Sequence, residues 1–316
     1  MTGASGFVGR AVVSELERRG VPVTAAVRSE SAFSPGVRVV RVEDLGATTN
    51  WTQALQECDV VVHCAARVHV MQETASSALH AFRVANAIGS VRLAQQAADA
   101  GVRRLVFISS IKVNGERSLP GAPFTERDAP APSDPYGISK LEAEIKLRSV
   151  ADVRGIELVI IRPPLVYGPG VRANFLSMTR WLRRGVPLPF GSVTSNRRTL
   201  VGLDNLVDLI LACVNHPAAA GETFLAGDGD DMSTADLLRR TASALGVRSR
   251  LVAVPEKLLA HAASILGRRS LWQRLGGTLQ ASIGHASQTL GWQPPLTVDE
   301  GLRRAVADIR TREVTQ

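Results

Sequence analysis

The chain has 316 residues, 45% hydrophobic and 21% charged, which suits a large buried core, alone or with a smaller one, and excludes a disordered or fibrous chain. No apolar run approaches the roughly 20 residues that span a bilayer, and the start lacks a basic-then-apolar leader pattern. The three cysteines, Cys58, Cys64 and Cys213, have no metal-ligand spacing and an odd count, so a reducing cytoplasm is expected, with no metal and no membrane insertion.

A net charge of +8 raises the question of nucleic acid. The basic residues are spread along the chain, only four are lysines, and aromatics are only 4%, so no nucleic-acid surface is expected. A share of the arginines is expected to meet phosphates of a small substrate.

In chain order the first signal is "TGASGFVGRAVVSEL", where Gly3, Gly6 and Gly9 precede a helical spacing of Val8, Val12 and Leu16 over 8–19. Such a turn, lined also by Ser5, Phe7 and Val8, lets a dinucleotide pyrophosphate approach the backbone at a helix N-terminus. It needs a strand to deliver the chain into it, yet only Met1 precedes Thr2. The natural start is therefore expected several residues upstream. Strand 21–27 ends at Arg28, with no acid before Glu30; a guanidinium suits a ribose phosphate, so NADP(H) is favoured and NAD(H) possible, an exposed arginine being the alternative. Asp44 and Leu45, after strand 37–42, are placed to meet the adenine edge.

Apolar runs at 59–65, 104–109 and 156–162 read as buried parallel strands, and helical patterns cover 51–57, about 76–100 and 137–153. His63 lies inside a strand and reads as structural. Ser109 and Ser110 end the strand at 104–109. In "DPYGISKLEAE", Tyr136 and Lys140 share one helix face, and a nearby ammonium makes a phenol near pKa 10 easier to ionise. Ser110, Tyr136 and Lys140 are the candidate catalytic set, Ser110 hydrogen-bonding the substrate oxygen that Tyr136 protonates or deprotonates. The fold class is a doubly wound parallel Rossmann sheet over 1–165, followed by a smaller mixed α/β lobe over 166–316 interleaved with it. In that lobe Asn174, Pro187 to Phe190, Arg198 and Arg274 are candidates for binding a nucleotide and its phosphates. The amphipathic stretch at 256–267 is expected to pack into the lobe rather than touch a membrane, because its polar face carries few cations.

"TGASGFVG", "HCAA", "SSIKVNG", "PYGISK" and "RPPLVYGPG", in this order, resemble the extended short-chain dehydrogenase/reductases, specifically their nucleotide-sugar epimerase, dehydratase and reductase branch. The resemblance covers nearly the whole chain. It implies that Ser110, Tyr136 and Lys140 form the catalytic triad. By the same likeness Cys64, Ala65, Ala66 and Ser109 lie beside the cofactor, Asn86 supports the active-site helix, Pro163 to Leu165 flank the nicotinamide, and Arg198 holds a diphosphate. It also implies a UDP-sugar substrate and a homodimer. The 4,6-dehydratases carry an Asp-Glu pair where this chain has Ile111 and Lys112, which disfavours water elimination and leaves Lys112 as a substrate contact. Arg28, together with Asn114 where typical epimerases have Tyr, favours reduction of a UDP-4-keto-6-deoxy-N-acetylhexosamine for surface polysaccharide. A 4-epimerase with bound NAD is the alternative, and a non-catalytic NADP-binding sensor a second one.

Overall fold

The Val- and Ile-rich runs form parallel strands because both faces of each are covered by helices. The structure is a computed structural model that describes residues 1–68, 75–171 and 173–314. From the glycine turn the chain runs through α1 (Phe7–Arg18), β1 (Val23–Val27), β2 (Val37–Arg41), α2 (Thr52–Leu55) and β3 (Val60–His63). Next come α3 (Ala75–Phe82), a π-helical stretch (Arg83–Ile88) and α4 (Gly89–Asp99), where the sequence predicts one uninterrupted helix. The widened turn carries the buried Asn86. Then follow β4 (Arg104–Ile108), α5 (Pro135–Arg154) and β5 (Glu157–Arg162).

α5 has strong local signals at both ends. Asp134 caps its N-terminus by accepting from Gly137 N at 2.7 Å, Pro135 opens the first turn, and Gly155 ends it in the left-handed region at φ 70°.

β3, β4 and β5 pair in parallel in that order, and β1 pairs with β2. Met1 and Thr2 occupy the lane between β1 and β3. Thr2 bridges Ala26 on one side and His63 on the other, Met1 O accepts from Ala26 N at 2.8 Å, and Thr2 N donates to Val62 O at 3.0 Å. This is where the glycine turn calls for a strand.

Past β5 the chain forms β6 (Leu165–Tyr167), α6 (Ala173–Arg183), β7 (Leu200–Gly202), α7 (Leu203–Asn215), β8 (Thr223–Leu225), α8 (Thr234–Ala244), α9 (Glu256–Ile265), α10 (Arg269–Gly276), α11 (Gly284–Leu290) and α12 (Val298–Val314). β6 and β7 pair apart from the main sheet, but β8 adds to the free edge of β5 and α7 packs on α1. Leu206, Leu209 and Ile210 of α7 share one core with Val106, Val159 and Ile161 of the strands, so the chain after 165 returns to the first sheet before building its own lobe. On the other face, Leu93 of α4 and Leu147 of α5 pack on Leu105, Phe107 and Ile160. The expected packing of 256–267 into the lobe holds for one side only: α9 packs on α10 with Leu259, Ala260 and Ala263 half-buried, but none of its residues is fully buried and Leu258 and Ile265 stay exposed.

His63 is fully buried, its Nδ1 2.6 Å from Thr2 Oγ1 and its Nε2 2.8 Å from Ser90 Oγ. Burial, aided by the Lys140 ammonium, pushes its imidazole down to about 3. The unfolded chain therefore binds a proton that the folded chain refuses, and stability falls as pH drops from about 6.5 toward 3. Denaturant titrations should show His63 removing about 2 kcal/mol between pH 6.5 and 5, and His63→Gln should flatten that dependence.

Candidate functional site

At the centre of the sheet the backbone turns so tightly that only glycine fits. Gly3 has φ +64°, and a Cβ there would lie 2.7 Å from Ala65 N. A Cβ on Gly9 would lie 2.1 Å from Gly3 O, and Gly6 N donates to Gly3 O at 2.9 Å to close the turn. Gly6, the N-cap of α1, offers no side chain to the first N–H groups, and the first turn holds no acid. These groups are thus left for an external anion, with the helix dipole in its favour. Ser5 is exposed and Phe7 and Val8 are half-buried at this turn, while half-buried Cys64, Ala65 and Ala66 follow β3, with Cys64 and Ala65 close against Gly3. The donor set and cradle fit a dinucleotide pyrophosphate. Burial pushes the Cys64 thiol up to about 12, so it stays a neutral lining group.

The ribose end differs from the sequence expectation. Arg28 Nη1 donates to Asp44 Oδ1 at 2.8 Å, and both side chains are largely exposed. The guanidinium expected to select a 2′-phosphate faces a carboxylate, so Arg28 alone does not carry a preference for NADP(H). Leu45 packs at backbone distance from Gly89, where a Cβ would lie 3.1 Å from the Leu45 Cβ.

Ser110 caps a short 3₁₀ turn (Ile111–Val113) and its Oγ accepts from Lys112 N at 3.3 Å. That turn and the start of α5 touch at backbone level, because a Cβ on Gly137 would be 3.0 Å from Lys112 O. Gly137, between Tyr136 and Ile138, is thus what lets the Ser110 segment approach the tyrosine. The Tyr136 ring packs edge-on to Phe82 with centroids 6.0 Å apart, and burial with the Asp134 carboxylate pushes its phenol up to about 12. Lys140 is buried, donates to Ile108 O at 2.7 Å, and sits 4.5 Å from the Phe107 ring centroid and 6.0 Å from that of Tyr136. Burial pushes its ammonium down to about 8, opposed by Cys64 and Glu144.

Several candidates meet protein rather than open space. Lys112, expected to face substrate, is ion-paired to Asp134 and lies 3.2 Å from Glu116. Asn86 spends its amide on Arg67 O and Ser139 Oγ, both at 3.0 Å, and accepts from Arg67 N at 2.8 Å; it ties the segment after β3 to α5. Ser109 donates to Glu144 at 2.5 Å. Pro163 is buried, its carbonyl accepting from Ile111 N at 3.0 Å, and Leu165 is exposed at the start of β6.

In the second lobe, Arg198 donates to Gly277 O at 3.1 Å. Burial lowers the pKa of its guanidinium; Glu116 opposes that effect and the neighbouring Arg274 adds to it, so the two arginines share one region. Phe190 is half-buried in a cluster with Leu182, Leu188 and Leu238, while Pro187 is exposed. Asn174 lies in the first turn of α6, and its side chain is outside the described residues.

The sequence reading missed a buried ion pair beneath the site. Arg162 donates to Glu144 at 3.0 and 2.6 Å and to Asn114 Oδ1 at 3.0 Å, and Asn114 donates onward to Thr125 O at 2.8 Å. One signal was available: Glu144 lies four residues after Lys140, on the same face of α5.

A doubly wound parallel sheet whose central turn excludes a side chain at Gly3 and Gly9 defines a Rossmann-type dinucleotide-binding fold. Comparison with known proteins makes that specific. Residues 1–227 match the model of the NAD dependent epimerase/dehydratase family. The chain is 46% identical over 305 residues to a UDP-glucose 4-epimerase of Vibrio cholerae, covering 96% of this chain and 93% of that protein. It is 25% identical to a GDP-6-deoxy-D-mannose reductase of Pseudomonas aeruginosa, over 99% of this chain and 97% of the relative. Among solved structures, MoeE5 in complex with UDP-glucose and NAD superposes with a TM-score of 0.77 at 26% identity, covering 100% of this chain and 98% of that one. The chain belongs to the NAD dependent epimerase/dehydratase family and is an enzyme of it.

Gly9→Ala should break the cradle, because the Gly3 carbonyl has nowhere to go. The expected result is a fall in melting temperature equivalent to at least ~2 kcal/mol and loss of NAD binding in a fluorescence titration. A variant that binds NAD normally would show that the turn tolerates a side chain.

Proposed function

We propose that this enzyme is a UDP-hexose 4-epimerase working with a retained NAD. The observation that carries the reading is the near-full-length likeness to a UDP-glucose 4-epimerase at 46% identity. Two features that favoured a 4-keto reductase lose their force. Arg28 is engaged by Asp44, and Asn114 is buried in the Arg162 network instead of standing as a substrate-facing counterpart of the epimerase tyrosine.

In this reading the cradle of Gly3, Gly6 and Gly9 holds the pyrophosphate, Ala65 and Ala66 line the cofactor, and Pro163 to Leu165 flank the nicotinamide. NAD supplies the capacity to oxidise C4 of the sugar and to reduce it again. Tyr136 takes the proton of the 4-hydroxyl and later returns it. Its phenol, raised by burial and Asp134, needs a cation to ionise near neutral pH, and Lys140 is the cation on its helix face. Ser110 donates or accepts at the same oxygen and fixes its position. Arg198 and Arg274 suit the diphosphate as two guanidinium groups, with Phe190 and Pro187 beside the base. The exposed Ile145 and Val153 on α5 support pairing with a second copy, and the three free cysteines suit a cytoplasmic setting. Sedimentation at twice the monomer mass would bear out the dimer; a monomer would remove it.

The test is to mix purified protein with UDP-glucose and no added nicotinamide, and to follow UDP-galactose by NMR. Interconversion is expected, and Tyr136→Phe should lower it ~10²–10⁴-fold while NAD stays bound. Consumption of NADPH with a UDP-4-keto-6-deoxy-hexosamine, and no interconversion, would instead make the chain a reductase. Cofactor binding with neither reaction would make it a sensor.

A further inference from the structure

We infer that the outward face of α9 docks this protein onto an anionic lipid surface. At 100° per residue, Leu258, Ala262, Ile265 and the following Leu266 fall within an arc of about 100° on one side of the helix. That side faces solvent: Leu258 is 60% exposed, Ile265 72% and Leu266 70%. The opposite side, with Leu259, Ala260, Ala263 and Ser264, is the half-buried one, and α9 packs chiefly on α10. A protein that buries leucine and isoleucine throughout its sheet thus turns an apolar helical stripe of its second lobe outward. Single exposed leucines are ordinary, whereas a contiguous helical stripe of this kind marks a contact surface.

The charge around the stripe identifies what it fits. From 248 to 269 the chain carries Arg248, Arg250, Lys257, Arg268 and Arg269 against one acid, Glu256. That acid accepts from Ser195 Oγ at 3.0 Å. Lys257 and Arg268 are exposed and stand at the two ends of the stripe, and Arg269 Nε donates to Ser264 Oγ at 2.8 Å, tying the start of α10 to the inner side of α9. A second copy would bring the same positive charge to this face, so self-pairing is disfavoured. A convex apolar stripe bracketed by cations matches an interfacial helix that sinks its leucines among acyl chains while cations meet lipid phosphates. Apart from Lys257, the cations come from the segments before and after α9, which is why the helix read alone points away from lipid.

Co-sedimentation of the full chain with vesicles tests this, using phosphatidylcholine alone and phosphatidylcholine with about a third phosphatidylglycerol. Binding is expected to the mixed vesicles, and it should weaken at least ~10-fold as salt rises from ~0.05 to ~0.5 M. The double variant Ile265→Glu, Leu266→Glu should lose at least ~10-fold with its melting temperature and sugar turnover unchanged. Arg268→Glu, which leaves the stripe intact, should lose a smaller factor. Absence of binding to anionic vesicles, or equal binding by the double variant, overturns the proposal. So does concentration-dependent self-association of the wild-type chain that the double variant abolishes.

Discussion

Glu144 and Arg162 are charged side chains only 2% and 4% exposed, and neither survives there without the other. Their two hydrogen bonds satisfy the fork of the guanidinium against both carboxylate oxygens, while Ser109 and Asn114 take up remaining valences. Such a pair is not in itself a large source of stability. Removing one member leaves a bare buried charge and costs about 3–5 kcal/mol, a large part of the ~5–15 kcal/mol a domain has in hand. The consequence is geometric. The pair pins α5 to β5, and through Ser109 to the end of β4. Tyr136 and Lys140 lie eight and four residues before Glu144 on α5, so the reacting groups are located by a contact that never meets substrate.

The same logic of satisfied burial holds Lys140. Its ammonium lies out of water, yet it has the Ile108 carbonyl and the Phe107 ring as partners, and its depressed pKa keeps proton exchange within reach near neutral pH. His63 is treated the opposite way: Thr2 and Ser90 bond its ring, and burial keeps it neutral as a structural strut between the residues at the sheet centre and α4. Two neighbouring titratable groups are thereby assigned different roles by their surroundings.

The electrostatics of the cofactor edge show why a residue type is a weaker guide than its partner. An arginine at the end of β1 suggests phosphate selection. Asp44, sixteen residues later, brings a carboxylate within 2.8 Å of it, and the pair presents little net charge. Likewise Asn114, which stands where typical epimerases have Tyr, turns inward to Arg162 and Thr125.

Much was legible without coordinates, because it is local. Parallel strands buried on both faces must be runs of Val and Ile, so β1 to β5 stand out. The glycines announce a close backbone approach, and a tyrosine and a lysine four apart on a helix must share a face. The order of the strands and helices, and the candidates Tyr136 and Lys140, were read from those periods. What depends on pairing across the chain was not legible: Glu144 with Arg162, Arg28 with Asp44, Lys112 with Asp134, and the return of β8 to the first sheet. Nor could amphipathicity say whether α9 had a partner, since a periodic pattern marks an apolar side without naming what covers it. The sequence by itself determined the elements, the glycine cradle and the residues capable of the chemistry, through steric and periodic constraints that act within a few residues. Only the tertiary structure decided which charges are spent on one another and which surfaces stay open, because burial and Coulomb partners are properties of distance in space.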